Sequence, residues 1–175
     1  MSSASFPKVQ VLFVCMGNIC RSPTAEGVFR KLVSTSSLAG RVDIDSAGTS
    51  GGHVGMAPDP RAIDVAARRN YEIEHLRGRQ VGPSDFERFD YIIAMDEMNV
   101  RLLKGLCPTR LAHKIELLLD YGGEEDEVEV PDPYYGTLND FEHALDLIEE
   151  GCKGLLEYLT DMQRMRGAAG LKRES

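Results

Sequence analysis

At 175 residues, with 42% apolar and 27% charged side chains, the chain has the size and composition of one globular domain, not of a disordered or fibrous protein. Its formal charge of -8 excludes a general nucleic-acid binder, since such proteins need a basic face to displace counterions from phosphates. No apolar run reaches the roughly 18 residues of a membrane span, and Met1–Lys8 lacks the regions of a secretion signal, so a cytoplasmic protein without membrane partners is expected.

Val9–Val14 is a short, β-branched apolar run that reads as a strand. It breaks into Cys15-Met16-Gly17-Asn18-Ile19-Cys20-Arg21-Ser22-Pro23. A helical pattern then starts near Pro23, with Ser22 as its cap and Ala25, Val28, Phe29 and Leu32 on the buried side. Val42–Ala47 alternates like a second strand. Gly48–Pro60, with four glycines and two prolines, predicts a surface loop, and Pro60–Asn70 resumes helical spacing. Tyr91–Met95 predicts a strand, Glu97–Leu106 a helix and Ile115–Leu119 another strand.

Asp120–Asp132 is an acidic, glycine-containing stretch that reads as a solvated connector, and it leads into Asp132-Pro133-Tyr134-Tyr135. Leu138–Met162 reads as a closing helix. These elements predict one domain over residues 1–175, with an ordered core at about 8–162 and a frayed tail at 163–175. Alternating strands and helices predict an α/β fold: a three-layer, open, mostly parallel twisted sheet with helices on both faces, binding ligands at the carboxyl ends of its strands.

Cys15, Cys20, Cys107 and Cys152 are too few and too scattered for a disulfide framework, and no spacing suggests a metal site, so reduced thiols and no cofactor are expected. His53, His113 and His143 read as surface or loop histidines.

The segment after the first strand carries the chemistry. Cys15 is followed by five residues and then Arg21, a spacing that closes a small ring around one tetrahedral anion. Gly17 supplies positive φ, Asn18 tolerates the left-handed region, and consecutive backbone N–H groups can turn inward as an anion nest at a helix N-terminus. The Arg21 guanidinium offers two parallel donors to two phosphate oxygens. These positive surroundings favour the thiolate of Cys15, and a Ser22 hydroxyl bond steadies it. A leaving alkoxide or phenoxide needs a proton, for which Asp132 is the best candidate, while Asp96 reads as a helix cap or structural acid.

The run Val11-Leu12-Phe13-Val14-Cys15-Met16-Gly17-Asn18-Ile19-Cys20-Arg21-Ser22-Pro23-Thr24-Ala25-Glu26, read with Asp132-Pro133-Tyr134-Tyr135-Gly136, resembles the low-molecular-weight protein tyrosine phosphatases. Asp45-Ser46-Ala47-Gly48-Thr49, Pro58–Ala62, Arg79-Gln80 and Met95-Asp96-Glu97 extend the similarity over about residues 8–160.

The resemblance implies that Cys15 is the nucleophile, Arg21 grips the phosphoryl group and Asp132 is the general acid, then the general base. It also implies that Met16, Gly17, Asn18, Ile19, Cys20 and Ser22 form the substrate-binding loop. Asn18 and Ser46 brace that loop, and Met16, Ile19, Tyr134 and Tyr135 wall an aryl slot. Substrates would be phosphotyrosine proteins or small aryl phosphates, with no metal or organic cofactor.

Ile19 stands where relatives that dephosphorylate arginine carry threonine, and Gly52 stands where many members place tryptophan. Leu76, with His75 beside it, stands where many members place a loop-supporting histidine. Cys20 forms a reversible disulfide with the nucleophile in some members, against the alternative of a packing residue. A thiol-linked arsenate reductase would need further cysteines near residues 80–90, which are absent, and a non-catalytic phosphate-docking module would bind without turnover.

Overall fold

Alternation along the first strand divides the core. In β1 (Val9–Cys15), Val11, Phe13 and Cys15 point to one face and Leu12 and Val14 to the other, all of them buried. A strand apolar on both sides must be covered on both sides, and that is the architecture of the computed structural model, which describes residues 7–171.

β1 is followed by α1 (Arg21–Ser34), β2 (Val42–Gly48), α2 (Pro60–Arg68), α3 (Pro83–Arg88), β3 (Tyr91–Ala94), α4 (Glu97–Leu106), β4 (Ile115–Leu117) and α5 (Leu138–Leu171). The four strands are all parallel, in the order β2-β1-β3-β4. The expected α/β sheet is therefore present. One face is covered by α1, α2 and α5, through residues such as Phe29, Val65 and Leu145, and the other by α3 and α4, through Phe86, Phe89 and Leu103.

From β1 the chain steps outward to β2 and then returns past β1 to β3. The carboxyl end of β1 thus lies at a switch point, where two loops diverge and leave a crevice. Local signals fix the helices around it. Asp59 caps α2 by accepting from the Arg61 N–H at 2.9 Å, with Pro60 at the first turn. Asp96 and Asn99 form a reciprocal capping box at the start of α4, with bonds of 2.7 and 3.2 Å.

Several expectations need correction. The helix after the loop begins at Arg21, with Cys20 in the cap position and no side-chain capping bond, so Ser22 is not its cap. The fourth strand ends at Leu117, because Leu118–Asp120 tightens into a 3-10 turn. The closing helix does not stop at Met162 but runs to Leu171, with residues 164–170 exposed; residues 172–175 lie outside the described residues. Among the described residues, no helix is long and apolar enough to cross a membrane.

Candidate active site

The loop between β1 and α1 is held from outside by its carbonyls. Cys15 O accepts from the Thr49 N–H at 2.9 Å, Met16 O from Ser50 at 2.9 Å and Ile19 O from Asp59 at 2.7 Å. Among the described residues, no hydrogen bond takes up the backbone N–H groups of residues 16–20. A ring with its carbonyls bonded outward and its N–H groups free at a helix N-terminus is an anion nest.

The turn that shapes the ring falls on Asn18, at φ 56°, and not on Gly17, which is absent from the positive-φ residues. Gly17 makes room instead for a neighbour: a Cβ there would stand 3.0 Å from His53 Cδ2, so the imidazole would have to shift by a few tenths of an ångström. Gly48, at the end of β2, is needed for the same kind of approach, since its Cβ would lie 2.7 Å from Met16 O.

Asn18 carries a left-handed backbone that its side chain secures. Oδ1 accepts from the Arg79 N–H at 3.0 Å, while Nδ2 donates to Ser22 Oγ at 2.8 Å and Ser46 Oγ at 3.0 Å. Because a backbone N–H can only donate, the Arg79 contact fixes which end of the amide faces which partner. Both hydroxyls therefore accept from Asn18 and direct their own protons elsewhere. Ser22 Oγ lies 3.0 Å from Cys15 Sγ and 3.4 Å from Ala47 O, so an anionic sulfur receives its proton. The Asn18 and Ser22 side chains are buried behind the loop, so any contact they make with an anion comes from their backbone.

Arg21 is only 3% exposed and is aimed by acids from two other loops. Its Nη1 donates to Asp96 Oδ2 at 2.6 Å and to Val130 O at 3.0 Å, and its Nη2 lies 3.5 Å from Asp132 Oδ2. Asp96 is thus both the α4 cap and the arginine's anchor. Burial alone would lower the Arg21 pKa, but the negative charges of Cys15, Asp96 and Asp132 outweigh it and hold the guanidinium above its ordinary value. Cys20 behaves oppositely: burial, followed by the charges of Asp59, Cys15 and Asp132, drives its pKa far upward and keeps it a neutral thiol.

Over this floor lies a cleft of about 180 Å³, lined by Cys15, Met16, Gly17, Ile19, Cys20, Arg21, Ser50, His53, Asp132, Tyr134 and Tyr135. The structure therefore gathers the expected nucleophile, arginine, acid and wall residues at one mouth, with Ser46 behind them. His53, expected on the surface, is a wall, its ring centroid 6.4 Å from that of Tyr134. The only sequence signal for it was its position next to Gly52. His75 is exposed and makes no hydrogen bond to the loop; support comes instead from the Arg79 N–H.

Arg61 also escaped sequence reading. It donates to Tyr134 O at 2.8 Å and Gly136 O at 3.3 Å, and stacks 4.5 Å from the Phe141 ring centre, tying the Asp132 loop to α2. The acidic connector does not border the cleft. Glu124, Glu125 and Asp126 are exposed, whereas Glu127 pairs with His143 at 3.4 Å and Glu129 accepts from the Glu97 N–H at 2.9 Å.

Fold and cleft together define a class: an α/β protein whose cleft sets a thiol and a buried guanidinium beside a loop of free N–H groups at a helix N-terminus. The family model for low molecular weight phosphotyrosine protein phosphatase matches residues 10–165. The low molecular weight protein-tyrosine-phosphatase YfkJ of Bacillus subtilis is 42% identical over 148 residues, covering 85% of this chain and 94% of that protein. The human low molecular weight phosphotyrosine protein phosphatase is 43% identical over 149 residues, covering 84% and 93%. The crystal structure of an Entamoeba histolytica protein tyrosine phosphatase with Hepes in its active site superposes with a TM-score of 0.85 at 39% identity, covering 89% of this chain and 99% of that one.

The chain belongs to the low molecular weight phosphotyrosine protein phosphatase family, a family of cysteine-dependent enzymes whose general activity is dephosphorylation of phosphotyrosine.

The Arg21 geometry leads to a first expected result. In Arg21→Lys a single ammonium cannot span Asp96, Val130 O and two phosphate oxygens at once. We expect kcat/KM for p-nitrophenyl phosphate to fall by roughly 10²- to 10³-fold, the usual worth of an oxyanion donor, with the far-ultraviolet circular dichroism unchanged. A loss under fivefold would show that fork geometry is dispensable.

Proposed function

We propose that the chain hydrolyses phosphotyrosine, in proteins or as small aryl phosphates, by two in-line phosphoryl transfers through a phosphocysteine at Cys15. The observation that carries this reading is Cys15 Sγ standing 3.0 Å from the Ser22 hydroxyl, beneath unsatisfied N–H groups and beside the buried Arg21.

In the first transfer the sulfur attacks phosphorus. The S–P bond forms as the P–O bond to the phenol breaks, and Asp132 protonates the departing oxygen. In the second, Asp132 takes a proton from water, whose oxygen attacks the phosphocysteine. Inorganic phosphate leaves, and the sulfur returns as thiolate, steadied by Ser22. Arg21 and the loop N–H groups follow the three equatorial oxygens through both steps, the electrostatic work that metal ions perform in other phosphatases. The reaction is therefore metal-independent. It proceeds in the cytoplasm, where thiols such as Cys15 and Cys20, both free here, stay reduced.

Selectivity follows from depth. Cys15 is at the floor, and Ile19, His53 and Tyr134 wall the approach. The long, flat phosphotyrosine side chain reaches that floor with its ring between apolar walls, while phosphoserine would have to draw peptide backbone into the cleft. Side-by-side assays should show phosphotyrosine peptides turned over at least tenfold faster than phosphoserine or phosphoarginine peptides of the same sequence, with no change in EDTA. Equal rates, or loss of activity with chelator, would overturn the reading.

A further inference from the structure

The loop that carries Asp132 has little of the packing that fixes the rest of the site. Of residues 132–135 only Pro133 is buried, and Tyr135 is 95% exposed. The loop's own hydrogen bonds are local: Tyr134 N–H donates to Asp132 Oδ1 at 3.2 Å, and Gly136 N–H to Pro133 O at 2.8 Å. Arg21 Nη2, 3.5 Å from Asp132 Oδ2, adds an ion pair longer than a regular hydrogen bond. An exposed turn with so few packed side chains belongs to the low-stability end of a fold. A proton donor on it must still come within hydrogen-bond reach of the leaving oxygen.

Arg61 supplies a long-range hold. Its Nη2 donates to Tyr134 O at 2.8 Å and its Nη1 to Gly136 O at 3.3 Å. Tyr134 is thus gripped on both sides, its N–H by the Asp132 carboxylate and its carbonyl by Arg61. The guanidinium lies 4.5 Å from the Phe141 ring centre and 5.8 Å from that of Tyr134, contacts that set its plane.

Asp59 fixes the other edge of the same guanidinium. Arg61 Nε donates to Asp59 Oδ1 at 3.0 Å and Nη2 to Oδ2 at 2.9 Å, a two-point fork that a lysine cannot reproduce. Asp59 N–H in turn donates to Ile19 O at 2.7 Å, within the nucleophile loop. A line of direct hydrogen bonds from Ile19 through Asp59, Arg61 and Tyr134 therefore joins the loop of Cys15 to the carboxyl of Asp132.

We propose that Arg61 is a positioning residue for the proton donor: anchored on Asp59, it holds Tyr134 so that Asp132 stays aimed into the cleft above Cys15. Arg61 does not line that cleft, so its effect on the reaction passes through Asp132. The inference rests on the reading of Asp132 as general acid.

This role leaves a signature that a loosened fold does not. A displaced Asp132 slows the first transfer only where the leaving group needs a proton, so phosphotyrosine suffers and p-nitrophenyl phosphate does not. General loosening slows both esters alike.

The test is the single-turnover rate of the first transfer, for a phosphotyrosine peptide and for p-nitrophenyl phosphate, in the native chain, Arg61→Met, Asp132→Ala and the double variant. We expect Arg61→Met to slow the transfer from phosphotyrosine by about 10- to 100-fold, the usual result of misplacing a reacting group by about an ångström, and that from p-nitrophenyl phosphate by less than about threefold. In Asp132→Ala the same substitution should cost less than about twofold more, because two residues acting as one unit do not lose additively. An unchanged phosphotyrosine rate, an equal loss for both esters, or a full further loss in Asp132→Ala overturns the proposal. Should Arg61→Met fail to fold, Arg61→Lys keeps the charge but cannot bond Asp59 and both carbonyls together, and must show the same selective loss or the proposal fails. Asp132→Ala alone reports on the reading beneath. If it releases tyrosine at the native rate, Asp132 is not the acid and both claims fall; if it is slowed and Arg61→Met is not, only the Arg61 proposal falls.

Discussion

Cys15→Ser is expected to abolish turnover, lowering kcat for p-nitrophenyl phosphate by about 10⁴-fold or more while leaving inorganic phosphate able to bind. Oxygen replaces sulfur at a residue 2% exposed, so the substitution leaves the surrounding packing almost unchanged. The loss is chemical: a serine hydroxyl stays protonated at neutral pH and is a poor leaving group in the second transfer. The outward-bonded carbonyls of Cys15, Met16 and Ile19 do not depend on the side chain, so the N–H cradle survives. Isothermal titration with phosphate alongside the activity assay checks both halves. Residual activity within tenfold of native would mean that another group attacks phosphorus.

Asp132→Ala should slow phosphotyrosine hydrolysis by roughly 10²- to 10⁴-fold, the usual worth of general acid-base catalysis. Asp132 has the access such a role demands: its side chain is 42% exposed, with Oδ2 3.5 Å from Arg21 Nη2. Its Oδ1 accepts from the Tyr134 N–H at 3.2 Å, which aims the carboxyl across the cleft. The size of the loss should depend on the leaving group. A tyrosine phenoxide needs a proton, whereas p-nitrophenolate is weakly basic and departs without one, so the first transfer should suffer more for phosphotyrosine. Comparing single-turnover rates for the two esters checks this. An equal loss in the first transfer for both would remove Asp132 as proton donor.

In the proposed mechanism the same carboxyl is the base for the second transfer. With p-nitrophenyl phosphate the Asp132→Ala protein should therefore release one equivalent of nitrophenol in a burst and then stall.

The parts of the site legible in the sequence are those whose causes are local. β1, the Cys15–Arg21 loop and the start of α1 are contiguous, and the two-residue period of Val9–Val14 gives way at once to the helical spacing of Ala25, Val28 and Phe29. Ser22 was misread as a cap because serine before a helix caps more often than it faces inward. Here the cap position falls on Cys20, and the Ser22 hydroxyl turns to Cys15. α3 went unseen because its six residues bury few apolar side chains, Phe86 foremost. The closing helix was cut short at Met162 because its last turns are polar and exposed, although alanine, arginine and methionine sustain a helix there without packing.

What the sequence concealed was long-range. His53 reaches the cleft from the loop after β2, where it stands beside Gly17, and Arg61 serves the Asp132 loop across more than seventy residues. Neither has a periodicity or spacing that betrays it.

The proposed mechanism passes the phosphoryl group from the phenol oxygen to the Cys15 sulfur and from there to water. Rapid acid quench of Asp132→Ala during p-nitrophenyl phosphate turnover, followed by mass spectrometry of the peptide that contains Cys15, tests it most directly. Phosphate bound to that cysteine is expected, in amount equal to the nitrophenol burst; a burst with an unmodified Cys15 peptide would contradict it.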